Sequence, residues 1–303
     1  RRWALCVVLL TLSSEAAFQA PISCATSRRR RQGCLSSQPS TDAASARSSA
    51  SELRSQGFTV LPSGVGVGQT LAAQVAAQAS TRLEELLAAV ERAGIDHIEQ
   101  QYAFSEICHR RRLRWDIVLN RTPEWNELCL SAVELATPTL RELQRNASQA
   151  SVEDSRAAPV ELSPLRVVMT GCVVSRPGAE AQQFHNDGDS GLVNIFIPLV
   201  SIEEDGDGTQ LWPGTHAFGS DMSWKAPDER AMRHMRSPAI DAGGLMLFDY
   251  VLIHRGLANP IVGGRERPVA YVVVALDGLA DDTNNFPDTS VCDAIVGAPG
   301  TWW

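Results

Sequence analysis

The sequence predicts a mainly β protein, in which an antiparallel jelly-roll core carries flanking helices on its N-terminal side. Two observations predict this fold class. The run from Gln69 to Ala93 in the first half is rich in Ala, Leu and Gln and lacks Gly and Pro, which favours a helix. The second half alternates short β-branched runs with turn residues, which is typical of an antiparallel sandwich or barrel. We therefore expect one domain over residues 51–303, with a helical flank and a jelly-roll core at about 165–278.

Local patterns predict the elements in order along the chain. Residues 51–62 predict a short helix, a turn at Gly57 and a strand, and the run from Gln69 to Ala93 predicts a long helix. We expect residues 104–120 to form a loop leading into one strand, and 124–146 to form a helix that breaks near Pro138. The predicted core strands are 165–178, 192–200, 209–216, 243–250, 251–260 and 267–276.

Residues 1–50 differ in composition from the rest of the chain. Two Arg, a short apolar run from Trp3 to Leu12 and small residues have the layout of a secretory signal peptide. The segment that follows is rich in Ser, Ala and Arg and poor in acids, like a transit peptide. Together they resemble the bipartite presequences of algae with secondary plastids. We therefore predict a disordered presequence over 1–50 and a plastid location. The alternative is a signal peptide and linker of a secreted or endomembrane protein.

Composition excludes several classes of protein. The net charge of −8 argues against a nucleic-acid partner. The apolar run near the start is too short to span a bilayer comfortably, and we expect no membrane span in the mature chain. The seven Cys include no Cys-x-x-Cys pair, which argues against a zinc cluster or a dense disulfide framework.

The stretch "QQFHNDGD" (182–189) suggests a metal site. His185 and Asp187 are two residues apart, so in extended backbone both side chains point to the same face. His254 ends the apolar run "GGLMLFDYVLIH" 69 residues after His185, and a jelly roll folds such distant strands against each other. Two His and one carboxylate form the facial triad that non-haem Fe(II) oxygenases use. We therefore predict that His185, Asp187 and His254 bind a metal ion.

Four stretches carry a resemblance to a known family: "QQFHNDGD", "LVNIFIPLV", "TQLWPGTH" and "GGLMLFDYVLIHRGLAN...GRERPVAYVVV". In this order they resemble the phytanoyl-CoA dioxygenase-like group of Fe(II)/2-oxoglutarate dioxygenases. The resemblance implies a double-stranded β-helix (cupin-like) core, with Fe(II), 2-oxoglutarate as co-substrate, O2, and ascorbate as an accessory reductant. It also implies hydroxylation of a small molecule or lipid with release of succinate and CO2. Because Asp187 keeps its carboxylate, hydroxylation is favoured over halogenation.

The resemblance further implies an arginine before the last core strand that grips the distal carboxylate of 2-oxoglutarate. Arg265 and Arg267 are the candidates, and period-two alternation would put both on the same side. The family's spacing from His254 favours Arg265, whereas its Arg-Pro pair before a β-branched strand favours Arg267. We prefer Arg267, with a preceding loop about two residues longer than usual. Asn194 is expected either to point toward the co-substrate or to satisfy neighbouring backbone.

Two further residues are candidates for substrate binding. Arg114, in the basic run 109–115, is a candidate for a substrate carboxylate or phosphate, and the alternative is a solvated strand face. Trp212 is a candidate for the wall of a substrate pocket, and the alternative is core packing. The competing function is a non-catalytic or other-metal cupin-like binding protein, which would have no need of a 2-oxoglutarate clamp.

Overall fold

The structure, a computed structural model, describes residues 39–150, 162–206, 208–219, 227–277 and 286–295. Residues 1–38, most of the predicted presequence, lie outside this part of the chain. The helices are α1 (Pro39–Gln56), α2 (Gln69–Arg92), α3 (Pro123–Ala150), α4 (Glu229–Met232) and α5 (Val291–Ile295), with a 3-10 helix at Thr215–Phe218. The strands are β1 (Phe58–Val60), β2 (Ile107–Arg111), β3 (Arg114–Ile117), β4 (Arg166–Ser175), β5 (Leu192–Pro198), β6 (Thr209–Leu211), β7 (Met246–Asp249), β8 (His254–Gly256) and β9 (Arg267–Ala275).

Seven strands form one antiparallel sheet in the order β1-β7-β5-β9-β4-β3-β2, and β6 and β8 form a second sheet of two strands. This architecture confirms the predicted mainly β fold with flanking helices. The six predicted core strands are all present as β4 to β9. The predictions for α2, β1 and the turn at Gly57, whose φ is 84°, are also confirmed.

The large sheet has two different faces, and β9 shows the division. Its residues Ala270, Val272 and Val274 are buried in a hydrophobic core that also contains the apolar faces of α2 and α3. The alternate residues Arg267 and Tyr271 line a cavity on the opposite face. Period-two alternation therefore separates a helix-covered outer face from a polar inner face on which a site can form.

The segment 104–120 is a β-hairpin, so the prediction of a loop leading into one strand is wrong. Strands β2 and β3 pair antiparallel, with Ile107 opposite Ile117. The turn between them contains no Gly or Pro, and Leu113 adopts a positive φ of 57°. A positive φ at a leucine is uncommon, and sequence rules for turns do not anticipate it.

Helix α3 runs through Pro138, so the predicted break is also wrong. Proline frees the carbonyl four residues earlier, here that of Glu134. Both Pro138 and Glu134 are exposed, so water can satisfy this carbonyl. No helix in the described part of the chain is long and apolar enough to cross a membrane.

The folded domain begins before residue 51. Helix α1 starts at Pro39, which contradicts the expected disorder of residues 39–50. Ala50 and Leu53 on this helix are buried, and α1 packs against α3 and β1. The Ser- and Ala-rich composition that resembles a transit peptide is therefore, in this segment, compatible with a packed helix. The N-terminal flank also supplies three strands of the sheet, β1, β2 and β3, and is not only helical.

Candidate metal centre and its cavity

The side chains of His185, Asp187 and His254 meet at one point. The Nε2 atoms of His185 and His254 lie 3.7 and 3.6 Å from Oδ1 of Asp187. One potential ligand atom from each of the three residues lies within 4.8 Å of the other two. The two imidazole rings are 4.5 Å apart between centroids. The predicted triad residues are therefore brought together by the fold.

Backbone pairing explains how residues 69 positions apart converge. His185 and His254 form an antiparallel bridge in which each backbone N–H donates to the other's carbonyl at 2.9 Å. The N–H of Asp187 donates to the carbonyl of Tyr250 at 3.0 Å, which holds the second half of the His-x-Asp stretch against the same partner segment. Main-chain hydrogen bonds therefore hold the three candidate ligand residues close to one another.

The hydrogen bonds of both histidines favour metal binding. Nδ1 of His185 lies 2.9 Å from the carbonyl oxygen of Gln183, and Nδ1 of His254 lies 2.9 Å from that of Leu252. A carbonyl only accepts, so in the neutral ring Nδ1 carries the proton and Nε2 keeps its lone pair for a metal. Burial, with the neighbouring His254, lowers the pKa of His185 to about 4, which keeps its ring neutral near pH 7.

Asn194 on β5 positions the carboxylate of the triad. Its Nδ2 donates to Oδ2 of Asp187 at 2.6 Å, which leaves Oδ1 directed at the two histidines. The Oδ1 atom of Asn194 is buried and has no hydrogen-bond partner among the described residues. Asn194 also lines the cavity. Its position in the cavity lining agrees with the alternative in which it points toward the co-substrate, and its contact with Asp187 was not anticipated.

The triad lies in the wall of a cavity of about 490 Å³ between the inner face of the sheet and the segment 182–187. Hydrophobic and polar side chains share the lining. The charged residues among them are four arginines and two aspartates: Arg110, Arg111, Arg114, Arg267, Asp116 and Asp187. The cavity is therefore suited to anionic ligands.

Two buried guanidinium groups lie side by side in this cavity. Arg267 donates from Nη2 to the carbonyl of Leu257 at 3.2 Å, and Arg114 donates to the same carbonyl. Each residue is 3% exposed. Burial and the neighbouring Arg267 lower the pKa of Arg114 to about 9. Arg114 forms no ion pair with any carboxylate in the described part of the chain, so this end of the cavity favours an incoming carboxylate.

Arg265 lies outside the cavity, so the expectation that it shares a side with Arg267 is wrong. Sheet pairing of β9 begins at Arg267, opposite Ser175, and Arg265 is an exposed loop residue that donates to the carbonyl of Ser201. Asn259 fixes this loop, because its Nδ2 donates to the carbonyls of Ser175 and Arg265 at 3.1 and 2.7 Å. Alternation of side chains does not extend into a loop.

The two candidate substrate residues occupy different places. Arg114 is buried in the cavity wall beside Arg267, so the alternative of a solvated strand face does not apply to it. Trp212 is not among the residues that line the cavity. It packs edge-on against Phe184, which does line it, with 6.2 Å between ring centroids.

Gly256, in the stretch "HRGLAN", leaves room for Arg114. A methyl group at Gly256 would overlap the Arg114 guanidinium and lie 2.6 Å from Oε1 of Gln182. We expect Gly256→Ala to lower the free energy of unfolding by about 1–3 kcal/mol, measured by chemical denaturation. In an Arg114→Ala background the same substitution should cost less, because the overlap is relieved. An equal cost in both backgrounds would contradict this packing.

Sequence reasoning missed a polar network on the cavity wall. Asp116 on β3 accepts from Nη2 of Arg110 at 2.7 Å and from the hydroxyl of Tyr271 at 3.2 Å. Burial raises the pKa of Asp116 despite these two donors. The stretch "RWDI" contains the signal, because Arg114 and Asp116 alternate with the apolar residues Trp115 and Ile117. That pattern predicts a strand with one polar face.

The chain is similar to several solved structures, among them SnoN and EctD. SnoN, described as the non-heme alpha ketoglutarate dependent epimerase from nogalamycin biosynthesis, matches with a TM-score of 0.51 at 13% identity, over 81% of this chain and 93% of SnoN. EctD from S. alaskensis, solved with 2-oxoglutarate and 5-hydroxyectoine, matches with a TM-score of 0.46 at 16% identity, over 75% and 74% of the two chains. No protein-family model matches the sequence, and no curated protein does.

The likeness to SnoN settles the architecture. The core is a cupin-like jelly roll. This fold contains the antiparallel sheet of seven strands and the two-stranded sheet that carries His254. The triad also lies within it. At 13% identity the likeness shows the fold alone. The chemistry of this chain therefore has to be argued from its own residues.

Proposed function

We propose that this protein is an Fe(II)- and 2-oxoglutarate-dependent dioxygenase that hydroxylates a small molecule or lipid and releases succinate and CO2. One observation carries the proposal. A His-Asp-His triad with both Nε2 atoms available lies in the same cavity as two buried arginines, one of which has no ion pair with a described carboxylate. A metal centre and a carboxylate-binding site within one cavity are what a chelating dicarboxylate requires.

The donor set fits Fe(II). Two neutral imidazoles and one carboxylate on one side of an ion are the ligands of non-haem iron oxygenases, and they leave positions open for a co-substrate and O2. In this role Fe(II) supplies the activation of O2 and its coupling to decarboxylation of 2-oxoglutarate. His185, Asp187 and His254 hold the ion, and Asn194 keeps the carboxylate of Asp187 in its orientation. The carbonyls of Gln183 and Leu252 keep the two imidazole rings in the metal-binding tautomer.

Arg267 is the proposed partner of the distal carboxylate of 2-oxoglutarate. It is buried in the cavity wall, whereas Arg265 is exposed outside it. A guanidinium keeps its charge when buried and can pair with a carboxylate through two parallel hydrogen bonds. Arg114 shares the acceptor Leu257 with Arg267, so we assign it to the same end of the cavity. We therefore propose that Arg114 supports the binding of 2-oxoglutarate instead of binding the substrate.

Other parts of the proposal rest on the sequence. Membership of the phytanoyl-CoA dioxygenase-like group rests on the ordered motifs, and the plastid location rests on the composition of residues 1–50. SnoN is described as an epimerase, so the fold also accommodates 2-oxoglutarate-dependent chemistry other than hydroxylation. Among these outcomes we favour hydroxylation because Asp187 is retained as a carboxylate.

The test is turnover of 2-oxoglutarate by the purified protein. Incubation with Fe(II), 2-oxoglutarate, ascorbate and O2 should release succinate, and omission of Fe(II) should stop it. Anaerobic titration should produce the visible absorption band of an iron–2-oxoglutarate chelate. If the protein binds a divalent metal but neither chelates 2-oxoglutarate nor forms succinate, a non-catalytic or other-metal cupin-like binding protein is the better description.

A further inference from the structure

The charge of the cavity is not balanced by the proposed cofactors. Among the described residues, four arginines and two aspartates line it. The two charges of Fe(II) and the two of 2-oxoglutarate cancel each other, so the described lining residues keep an excess of two positive charges. Glu180, at the rim 3.9 Å from Arg111, reduces the excess by one at most. An excess of positive charge in an enclosed site attracts an anion.

A β-bulge directs one of these arginines into the cavity. In the hairpin, His109 is opposite Trp115 and Arg111 is opposite Arg114, so the pairing register shifts and Arg110 is the extra residue. Consecutive residues of a regular strand point to opposite faces, yet Arg110 and Arg111 both line the cavity. Bulges occur next to active sites, where they re-aim a side chain.

Arg110 is held in place and still has donors to spare. Its Nη2 donates to Oδ2 of Asp116 at 2.7 Å, and Asp116 is fixed in turn by the hydroxyl of Tyr271. Gly171, opposite Tyr271 on β4, leaves the space that the tyrosine ring occupies. A guanidinium has five N–H donors, so the contact with Asp116 leaves most of them for a ligand.

The neighbouring arginines are less suited to hold a substrate. Arg114 and Arg267 are at the end of the cavity that we assign to 2-oxoglutarate. Arg111 is at the rim, where its side chain is 40% exposed and lies near Glu180. The side chain of Arg110 is 28% exposed, and its partner Asp116 is 5% exposed, so this pair is more enclosed. A more enclosed, pre-oriented cation discriminates more strongly between an anion and a neutral group.

We propose that the prime substrate carries an oxyanion, a carboxylate or a phosphate, and that Arg110 is the residue that binds it. Asp116 and Tyr271 are positioning residues, because they orient Arg110. This inference names the substrate class of the proposed dioxygenase and in that sense rests on the proposed function. It assigns the bulged hairpin β2–β3 the role of selecting the substrate.

The test compares small probes of similar shape that differ in charge. Phenylacetate and phenyl phosphate are titrated against the protein loaded anaerobically with Fe(II) and saturating 2-oxoglutarate, and phenylacetamide is the neutral counterpart. We expect at least one anion to bind about tenfold or more tightly than the amide by calorimetry. The better of the two anions identifies a carboxylate or a phosphate as the substrate's group.

Variants test whether Arg110 is the residue that causes the preference for anions. Arg110→Gln should abolish the preference for the anion and leave the amide affinity unchanged, whereas Arg110→Lys should retain part of it. Because Arg110→Gln leaves Asp116 buried without its cation, the pair Arg110→Gln/Asp116→Asn is a second version that removes both charges. Arg112→Gln is the matched control, since Arg112 lies on the same hairpin, pairs with Glu99 and does not line the cavity.

Three results would overturn the inference: equal affinity for anions and amide in the unaltered protein, a preference that survives in all Arg110 variants, or one that disappears only in Arg111→Gln. Titration of 2-oxoglutarate distinguishes a failure of this inference from a failure of the proposed function. If 2-oxoglutarate does not bind, the same probes are titrated against the protein with Fe(II) alone, and an anion preference that depends on Arg110 then contradicts the dioxygenase assignment alone. If 2-oxoglutarate binds normally and the preference for anions is absent, only the proposed substrate class is contradicted.

Discussion

His254→Ala is expected to abolish succinate formation while the protein remains folded. His254 is one of three protein ligands in the proposed centre, and its side chain is 5% exposed. Loss of an outer partner of a metal ligand already costs about 10–100-fold in metal affinity or activity. Loss of the ligand itself should exceed this. The measurements are Fe(II) affinity, succinate release and the unfolding transition.

The matched control for this prediction is His234→Ala. His234 is exposed and does not line the cavity, so the same substitution there should leave Fe(II) affinity and turnover near those of the unaltered protein. His185→Ala and Asp187→Ala should behave like His254→Ala, since each removes one ligand. Near-normal activity in any of these three would remove that residue from the triad.

Arg267→Ala is expected to raise the apparent dissociation constant of 2-oxoglutarate by about ten- to a thousandfold, with little change in metal affinity. Charge-assisted bidentate pairs in partly buried sites contribute about 2–4 kcal/mol, and each 1.4 kcal/mol is about tenfold in binding. Arg267→Lys should recover only part of the affinity, because an ammonium offers no planar pair of donors. Anaerobic titration of 2-oxoglutarate against the Fe(II)-loaded protein measures each constant.

Arg265→Ala is the matched control, two residues away in the same segment. Arg265 is exposed and contacts the carbonyl of Ser201, so its removal should change 2-oxoglutarate affinity little. A large effect of Arg265→Ala together with a small effect of Arg267→Ala would reverse the assignment. The spacing between His254 and the clamp would then be the shorter one that the family resemblance also allowed.

The site was predictable where a local rule and a motif agree. His185 and Asp187 share a face because extended backbone alternates, and Arg267 begins the inward-facing series of a regular strand. The pairing of His185 with His254 is not contained in either local segment. It required a fold in which distant strands meet, and the series of short β-branched runs between turns predicted that jelly roll. Core strands β4 to β9 were predictable for the same reason, since each is a short β-branched run between turns.

The structural features that could not be predicted from the sequence are exceptions to local rules. The β2–β3 hairpin turns at Leu113 with a positive φ, and the bulge at Arg110 places two consecutive arginines on one face. Helix α3 passes through Pro138 at an exposed position of the helix. None of these exceptions follows from a rule applied to a short window of sequence. The Arg110–Asp116–Tyr271 network was missed because it joins β2, β3 and β9.

The position of β9 has a consequence for how the protein is made. It is the last strand in the described part of the chain, yet it is the middle strand of the large sheet, hydrogen-bonded to β4 on one side and β5 on the other. During synthesis the two halves of that sheet have no common partner until residue 275 has left the ribosome. Sheets that depend on such distant pairings fold slowly. We expect the nascent chain to expose unpaired strand edges until β9 emerges, and to need chaperone protection during that interval.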